Sequence, residues 1–176
     1  MKCDKCNETG VYLHSEATNQ VLCETHFISY VEEKVYHTIK EHELYSKGDK
    51  ICVATSGGKD STTLLYLTMK FCRKYGLDFF ALAIDEGIAG YRDGKIDNLS
   101  KFCTENDIKY HIVSFKELFG KNLDLLQKIG FDQSGKKPCN ICGILRRTAL
   151  NRTAKKLGAT KLATGHNLDD EVQSFL

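Results

Sequence analysis

The sequence predicts an α/β fold: a parallel sheet covered by helices on both faces, preceded by a small zinc-binding module. Three observations predict it. From Lys50 onward short apolar runs alternate with amphipathic stretches, the signature of repeated strand–helix units. A glycine-rich turn joins the first such strand to the first such helix. Residues 1–26, by contrast, are rich in Cys, Asn, Thr and His, lack apolar periodicity, and are too few to build a core without a metal.

Taken in order, the zinc module spans 1–26. Glu24 to Tyr45 reads as a helix because Phe27, Val31, Val35 and Ile39 recur at helical spacing, so 27–48 is assigned as a linking helix ending at the Lys47-Gly48-Asp49 turn. The main domain is expected over 49–176. In it Ile51–Thr55 is a strand, Ser56–Lys59 a loop and Ser61–Tyr75 a helix; Asp78–Ile84 is a strand apolar on both faces. A helix over Lys95–Asn106, a strand over Lys109–Val113, a helical stretch at 116–129 and a polar loop at 130–140 follow. Ile141–Leu157 then reads as a basic helix, Thr160–Ala163 as a strand, and Leu168 onward as a helix capped by Asn167. Ligands of such sheets sit beyond the carboxyl ends of the strands. The apolar face begun by Val172, Phe175 and Leu176 stops without a cap, so we expect the chain to be part of a longer protein.

The 176 residues are 41% hydrophobic and 27% charged, which excludes wholesale disorder. There is no apolar run near the ~20 residues a membrane helix needs, and the opening MKCDKCNETG has no apolar stretch of the secretory kind. The expected address is cytoplasmic, with no membrane partner. Thiols there stay reduced, so closely paired cysteines point to metal or redox chemistry. Of eight cysteines, Cys52, Cys72 and Cys103 stand alone in apolar or amphipathic runs and read as buried core. Net charge is +2, yet Gly135 to Lys161 holds eight basic residues and no acid, so the rest of the chain is net acidic. Such a segment suits a polyanion, the plainer reading being a solvated helix face.

Chemistry concentrates at three places. The strand KICVATS runs into Ser56-Gly57-Gly58-Lys59-Asp60-Ser61 at a helix start. Adjacent glycines let backbone N–H groups approach an anion; the helix N-terminus, Lys59 and two serine hydroxyls add charge and donors. Val53 stands where a Walker A loop needs glycine, which excludes that motif. SGGKDS resembles the PP-loop of the N-type ATP pyrophosphatases, which adenylate an oxygen and release pyrophosphate. The resemblance implies that Ser56, Gly57, Gly58, Lys59, Asp60 and Ser61 hold the pyrophosphate portion of ATP. It also implies that the backbone near Ala54 and Ile84 meets the adenosine. Asp85 is either a ribose or metal contact or a strand-end cap.

A second signature, Gly165-His166-Asn167-Leu168-Asp169-Asp170-Glu171, resembles the GHNLDDE motif near the nucleotide in tRNA-thiolating members of that superfamily. Gly165 is thereby implied at the nucleotide and Asp170 as a catalytic aspartate. Carboxylates at a helix start can also hold Mg2+ or simply cap the helix.

Cys3-x2-Cys6 and Cys23-x2-His26 have the spacing of a closed four-ligand structural zinc site, with no open position for catalysis. A knuckle of this kind precedes the PP-loop in tRNA 2-thiouridine synthetases of the TtuA type and their archaeal and eukaryotic wobble-uridine relatives (the cytoplasmic tRNA 2-thiolation type). The related TtcA-type 2-thiocytidine enzymes lack it.

Pro138-Cys139-Asn140-Ile141-Cys142-Gly143 opens the basic helix, where the helix N-terminus and Arg146 and Arg147 favour thiolates. Spacing alone leaves a persulfide relay, a redox pair, a second zinc half-site or two ligands of an iron–sulfur cluster open. PCxxCG followed by basic residues resembles the thiolases in which two such cysteines and a later one hold a 4Fe–4S cluster; no cysteine follows Cys142 here. Arg146 falls where that family has a basic residue near the ATP phosphates.

What the resemblance implies is ATP-dependent tRNA 2-thiolation. ATP and Mg2+ would adenylate uridine O2 with Lys59 and Arg146 offsetting charge, and Cys139 and Cys142 would present sulfur. The sulfur would come from a ubiquitin-like carrier protein or free sulfide. Basic residues 136–161 would contact tRNA, and a homodimer is among the arrangements open to it. Alternatives are 2-thiocytidine synthesis, a small-molecule PP-loop synthetase or amidotransferase, and a non-catalytic zinc-stabilised RNA-binding module.

Overall fold

A computed structural model of the chain describes residues 2–10, 13–15, 19–87, 93–120 and 138–175. They fall into two compact units, 1–46 and 47–176.

In the first unit β1 (Leu13–Ser15) pairs antiparallel with β2 (Gln20–Leu22), and α1 (Glu24–Glu41) follows. The hairpin was not expected, because three-residue strands are too short to show a period. Asp4 ties the opening turn to it: its N–H donates to the Val21 carbonyl at 2.8 Å and its carboxylate accepts the Val21 N–H at 2.7 Å. Cys3, Leu22 and Cys23 form a small core with Cys6, Phe27 and Tyr30 packed on it. The stripe Phe27, Val31, Val35 and Ile39 is half-buried to buried, as its spacing requires.

The second unit holds β3 (Lys50–Ala54), α2 (Lys59–Tyr75), β4 (Asp78–Asp85), α3 (Asp93–Glu105), β5 (Tyr110–Ser114), α4 (Phe115–Phe119), α5 (Pro138–Lys156), β6 (Lys161–Ala163) and α6 (Leu168–Phe175). The four strands are parallel in the order β5-β4-β3-β6, with helices on both sides. β3 and β4 are buried on both faces, hence their unbroken apolar runs. On one side Cys52, Phe80, Leu82 and Ile84 pack with Phe115, Ala149 and Ala154. Small residues at 149 and 154 let α5 lie close to β4. Cys52, Cys72 and Cys103 are fully buried, matching their reading as core.

Two local signals shift the expected boundaries. Ser114 and Glu117 make a reciprocal capping box for α4, and Gly120 in the left-handed region (φ +71°) ends it after one turn. Of the helical stretch expected over 116–129 and the loop expected over 130–140, residues 121–137 lie outside the described set. Pro138 to Asn140, expected in that loop, instead begin α5, since proline is well suited to a helix's first turn.

Sheet order positions the site. The chain moves from β3 outward to β4 and β5, then returns so that β6 docks on the other edge of β3. The reversal leaves a crevice beyond the carboxyl ends of β3 and β6, the switch point where such sheets bind ligands. Lys50 and Thr160 anchor the returning strand: the Lys50 N–H donates to Thr160 Oγ1 at 3.0 Å and the Thr160 N–H to the Lys50 carbonyl at 2.9 Å.

Candidate functional site

The crevice holds a cavity of about 300 Å³. Its floor is the strand ends Ala54 and Ile84; one wall is Ser56, Gly58, Asp60 and Ser61, another Gly143, Arg146, Arg147 and Leu150, and a third Thr164, Gly165 and His166. Residues taken from the sequence as nucleotide contacts (Ala54, Ser56, Gly58, Asp60, Ser61, Ile84, Arg146 and Gly165) thus line one cavity. Gly57 and Lys59 belong to the same loop, Lys59 being the exposed first residue of α2.

Hydrogen bonds within the loop set its shape. The Ser61 hydroxyl accepts the Ser56 N–H at 3.1 Å and donates to the Gly58 carbonyl at 3.1 Å, drawing the turn onto the helix start. Buried Thr55 caps β3 by donating both its N–H and its hydroxyl to the Leu82 carbonyl. Gly57 has φ +73°, and a Cβ on it would stand 2.3 Å from the Lys95 carbonyl oxygen, so no side chain is admissible. Gly165 lets the turn after β6 press on the same loop, with the Ser61 Cα 3.1 Å from its own would-be Cβ.

Arg146 joins this cavity to the second cysteine pair. Its Nε donates to Glu86 Oε1 at 2.6 Å, and its Nη2 lies 3.4 Å from Cys142 Sγ. Glu86 is 1% exposed, while the Arg146 side chain is about half exposed. Burial disfavours the guanidinium charge, but Glu86 and Cys142 together more than offset that, holding Arg146 above its ordinary pKa. Helix periodicity explains the arrangement: Cys142 and Arg146 are one turn apart on the side that continues into Ala149 and Leu150. Cys142 is half-buried; Cys139 lies in the first turn of α5, with its side chain outside the described residues.

Glu86 escaped sequence reasoning, which weighed its neighbour Asp85 instead. Asp85 caps the next turn, its carboxylate accepting the Gly87 N–H at 2.9 Å. An acid directly after a buried strand, in a protein with an acid-free basic helix, was the available signal. Thr164, His166 and Arg147 were likewise not singled out for this cavity.

Asp170 faces a structural duty. Its carboxylate accepts the Asn167 N–H at 2.9 Å while Asn167 Oδ1 accepts the Asp170 N–H at 3.0 Å, a reciprocal cap on α6. It is exposed and does not line the cavity, although His166 of the same motif does. Glu171's side chain lies outside the described residues.

In the first unit the donor atoms of Cys3, Cys6, Cys23 and His26 all lie within 4.8 Å of one another. Cys23 is the N-cap of α1, so His26 returns to it one turn later. The Cys6–Cys23 sulfurs are 3.8 Å apart, and His26 Nδ1 is 3.4 Å from Cys3 Sγ and 3.2 Å from Cys23 Sγ. A tetrahedral zinc with Zn–S near ~2.3 Å requires about 3.8 Å between sulfurs and about 3.5 Å between sulfur and nitrogen. The donor set fits that ion. Without an ion the thiols are unequal. Burial raises Cys3, but backbone donors from Cys23, Lys5 and Cys6 outweigh it and bring the thiol to about 6. Cys23 has a lowering backbone bond at His26, yet burial and the Glu8, Cys3 and Cys6 groups push it to about 11. A cation would relieve that crowding of negative charge.

No helix among the described residues is long and apolar enough to cross a membrane.

Comparison with known proteins agrees with this geometry. The cytoplasmic tRNA 2-thiolation protein 1 of Chlamydomonas reinhardtii is 40% identical over 177 residues, covering 99% of this chain and 48% of the relative. That of Xenopus laevis is 37% identical over 180 residues, covering 100% and 51%. Among solved structures, the U34-tRNA thiolase NcsA from Methanococcus maripaludis with its 4Fe-4S cluster superposes with a TM-score of 0.82 at 35% identity, over 99% of this chain and 56% of that one. An NH3-dependent NAD synthetase from Campylobacter jejuni (TM-score 0.60, 17% identity, 84% and 60% covered) shares the fold alone. The chain spans about half the length of the curated relatives it matches. Residues 28–176 match the PP-loop domain, and with the loop, sheet order and cavity described above, the chain belongs to the PP-loop family.

Proposed function

We propose that this chain carries the nucleotide-binding and thiol-bearing part of an ATP-dependent tRNA-uridine 2-sulfurtransferase. One observation carries the reading: Arg146 lines the cavity opposite the SGGKDS loop and also touches Cys142 Sγ, so phosphate chemistry and a thiol meet at one side chain. The names of the relatives support uridine over cytidine and a cytoplasmic protein.

In this reaction uridine O2 attacks the α-phosphorus of ATP, the bond to the β-phosphate bridging oxygen breaks, and pyrophosphate leaves. A sulfur nucleophile then adds to C2, the C2–O bond breaks, and AMP departs with the oxygen. The Gly57 and Gly58 N–H groups and Lys59 bind the pyrophosphate portion, while Ser56 and Ser61 shape the turn that presents them. Ala54 and Ile84 flank adenosine. Arg146 offsets charge on the transferring phosphate, and Asp60 is the carboxylate in the cavity wall to meet Mg2+ carried in with ATP. Asp170 acts by holding the GHNLDDE turn in place. Cys139 and Cys142 present sulfur delivered as sulfide or by a ubiquitin-like carrier. Cys139 and Cys142 would supply two of the ligands of a 4Fe–4S cluster like the one NcsA holds, and such a cluster would supply a place for sulfide to bind. Zinc bound by Cys3, Cys6, Cys23 and His26 supplies structure only. The basic face of α5 holds tRNA backbone.

ATP–pyrophosphate exchange tests the proposal. Exchange stimulated by tRNA is the expected result. Exchange indifferent to tRNA would assign the site to a small-molecule synthetase, and its complete absence would leave only a zinc-stabilised binding module.

A further inference from the structure

We infer that Glu86 is a positioning residue that aims Arg146 into the cavity and against Cys142, an inference that deepens the reading above and rests on it for the identity of the ligand. Glu86 follows β4 directly, so the sheet fixes its backbone through the Asp85–Ser114 register and the Asp85–Gly87 turn. Its carboxylate is buried and meets Arg146 across a separation of 60 residues. Arginine has many rotamers and a flat fork of five donors. A bond to Nε from a rigid, buried acceptor fixes the plane of that fork, and with it the direction of the remaining donors. Those donors are where the geometry needs them: Nη2 lies on Cys142 Sγ, and the guanidinium lines the cavity beside Gly143 and Arg147. Charge follows the same logic. A guanidinium half withdrawn from water beside a thiol would otherwise turn to solvent, and the Glu86 carboxylate keeps it inward.

Glu86 thus acts through Arg146 and touches no substrate. The test is a mutant cycle in the full chain, with E86Q, E86A, R146M and the E86Q/R146M pair. E86Q keeps the side chain's volume and an oxygen for Nε–H, and the paired variant leaves no unmatched charge, so folding is preserved where E86A or R146M fails. Two quantities are read: ATP affinity by equilibrium dialysis, and the rate of iodoacetamide alkylation at Cys142, resolved from Cys139 by peptide mass spectrometry. We expect E86Q to weaken ATP binding about threefold and E86A about tenfold, with Cys142 alkylated about threefold more slowly in both. E86Q should change neither quantity once Met occupies position 146. Equal losses from E86Q in the native and R146M backgrounds, or unchanged values in E86Q and E86A, overturn the inference. If the unaltered chain binds no ATP, the reading of the cavity fails, and the alkylation cycle still decides the role of Glu86.

Discussion

Gly165 and Ser61 stand so close that a Cβ on the glycine would lie 3.1 Å from the Ser61 Cα and 3.2 Å from its amide nitrogen. The turn after β6 is thereby moulded onto the start of α2, and the neighbouring atoms are backbone that cannot swing away.

Graded glycine substitutions follow. G165A should cost about 1–3 kcal/mol through overpacking and loosen ATP binding. G57A combines a left-handed φ with a Cβ 2.3 Å from the Lys95 carbonyl oxygen, and should cost about 3 kcal/mol or more. G48A, at φ +91° with nothing within 4 Å, carries the conformational cost alone, about 1–2 kcal/mol, and leaves ATP affinity intact. Urea midpoints and ATP titrations check the order; a G48A that weakens ATP as much as G165A contradicts it.

Metal removal should act on the first unit. C23S, or a strong chelator, should release one zinc per chain by elemental analysis and abolish amide protection over residues 20–30. Protection of β3 and β4 should persist, because their core is built within the second unit. Full zinc content in C23S would refute the ligand set.

Alkaline pH should destabilise the protein through its three core thiols. Burial pushes Cys52 to about 12; Cys72 reaches about 12 by burial and the nearby Asp78, and Cys103 about 11 by burial, from 9.0. Between about 9 and 11 the folded chain keeps these protons while the unfolded chain loses them, so stability falls as pH rises. Each thiol should contribute roughly 1 kcal/mol of loss at pH 10. The triple variant C52A/C72A/C103A should show a flatter stability profile between pH 8 and 10; an unchanged slope would disprove the assignment.

The basic helix makes a salt-dependent prediction. Arg152 and Lys155 are exposed on α5 and do not line the cavity. Replacing both by Gln should reduce the slope of log K against log salt for tRNA by about one per side chain, with ATP affinity unaltered. A slope that stays constant would make this face a merely solvated one.

Much of the fold was legible because β3 and β4 are buried on both sides and α2 carries one apolar stripe, patterns that chain-local physics imposes. The PP-loop was legible for the same reason: Ser56 to Ser61 satisfy one another locally, through the Ser61 hydroxyl on Ser56 and Gly58. Glu86 was not, because its partner Arg146 stands on a helix 60 residues later. The β1–β2 hairpin was hidden by its brevity. The start of α5 was placed three residues late because Pro138 to Asn140 continue a polar stretch, although a proline that opens a helix loses nothing there. Asp170 shows the reverse case, a motif residue whose visible bonds are those of a cap.

The returning strand also has a consequence for synthesis. β3 can pair with β4 as soon as both have left the ribosome, but its partner on the other edge begins at Lys161. Thr164, Gly165 and His166 reach the cavity only with that strand. A nascent chain therefore carries a finished anion loop with one wall missing until the residues from Lys161 to His166 have emerged, its inner strand edge unpaired until then. Late closure of so distant a contact makes this edge the place where slow folding and wrong pairing will compete.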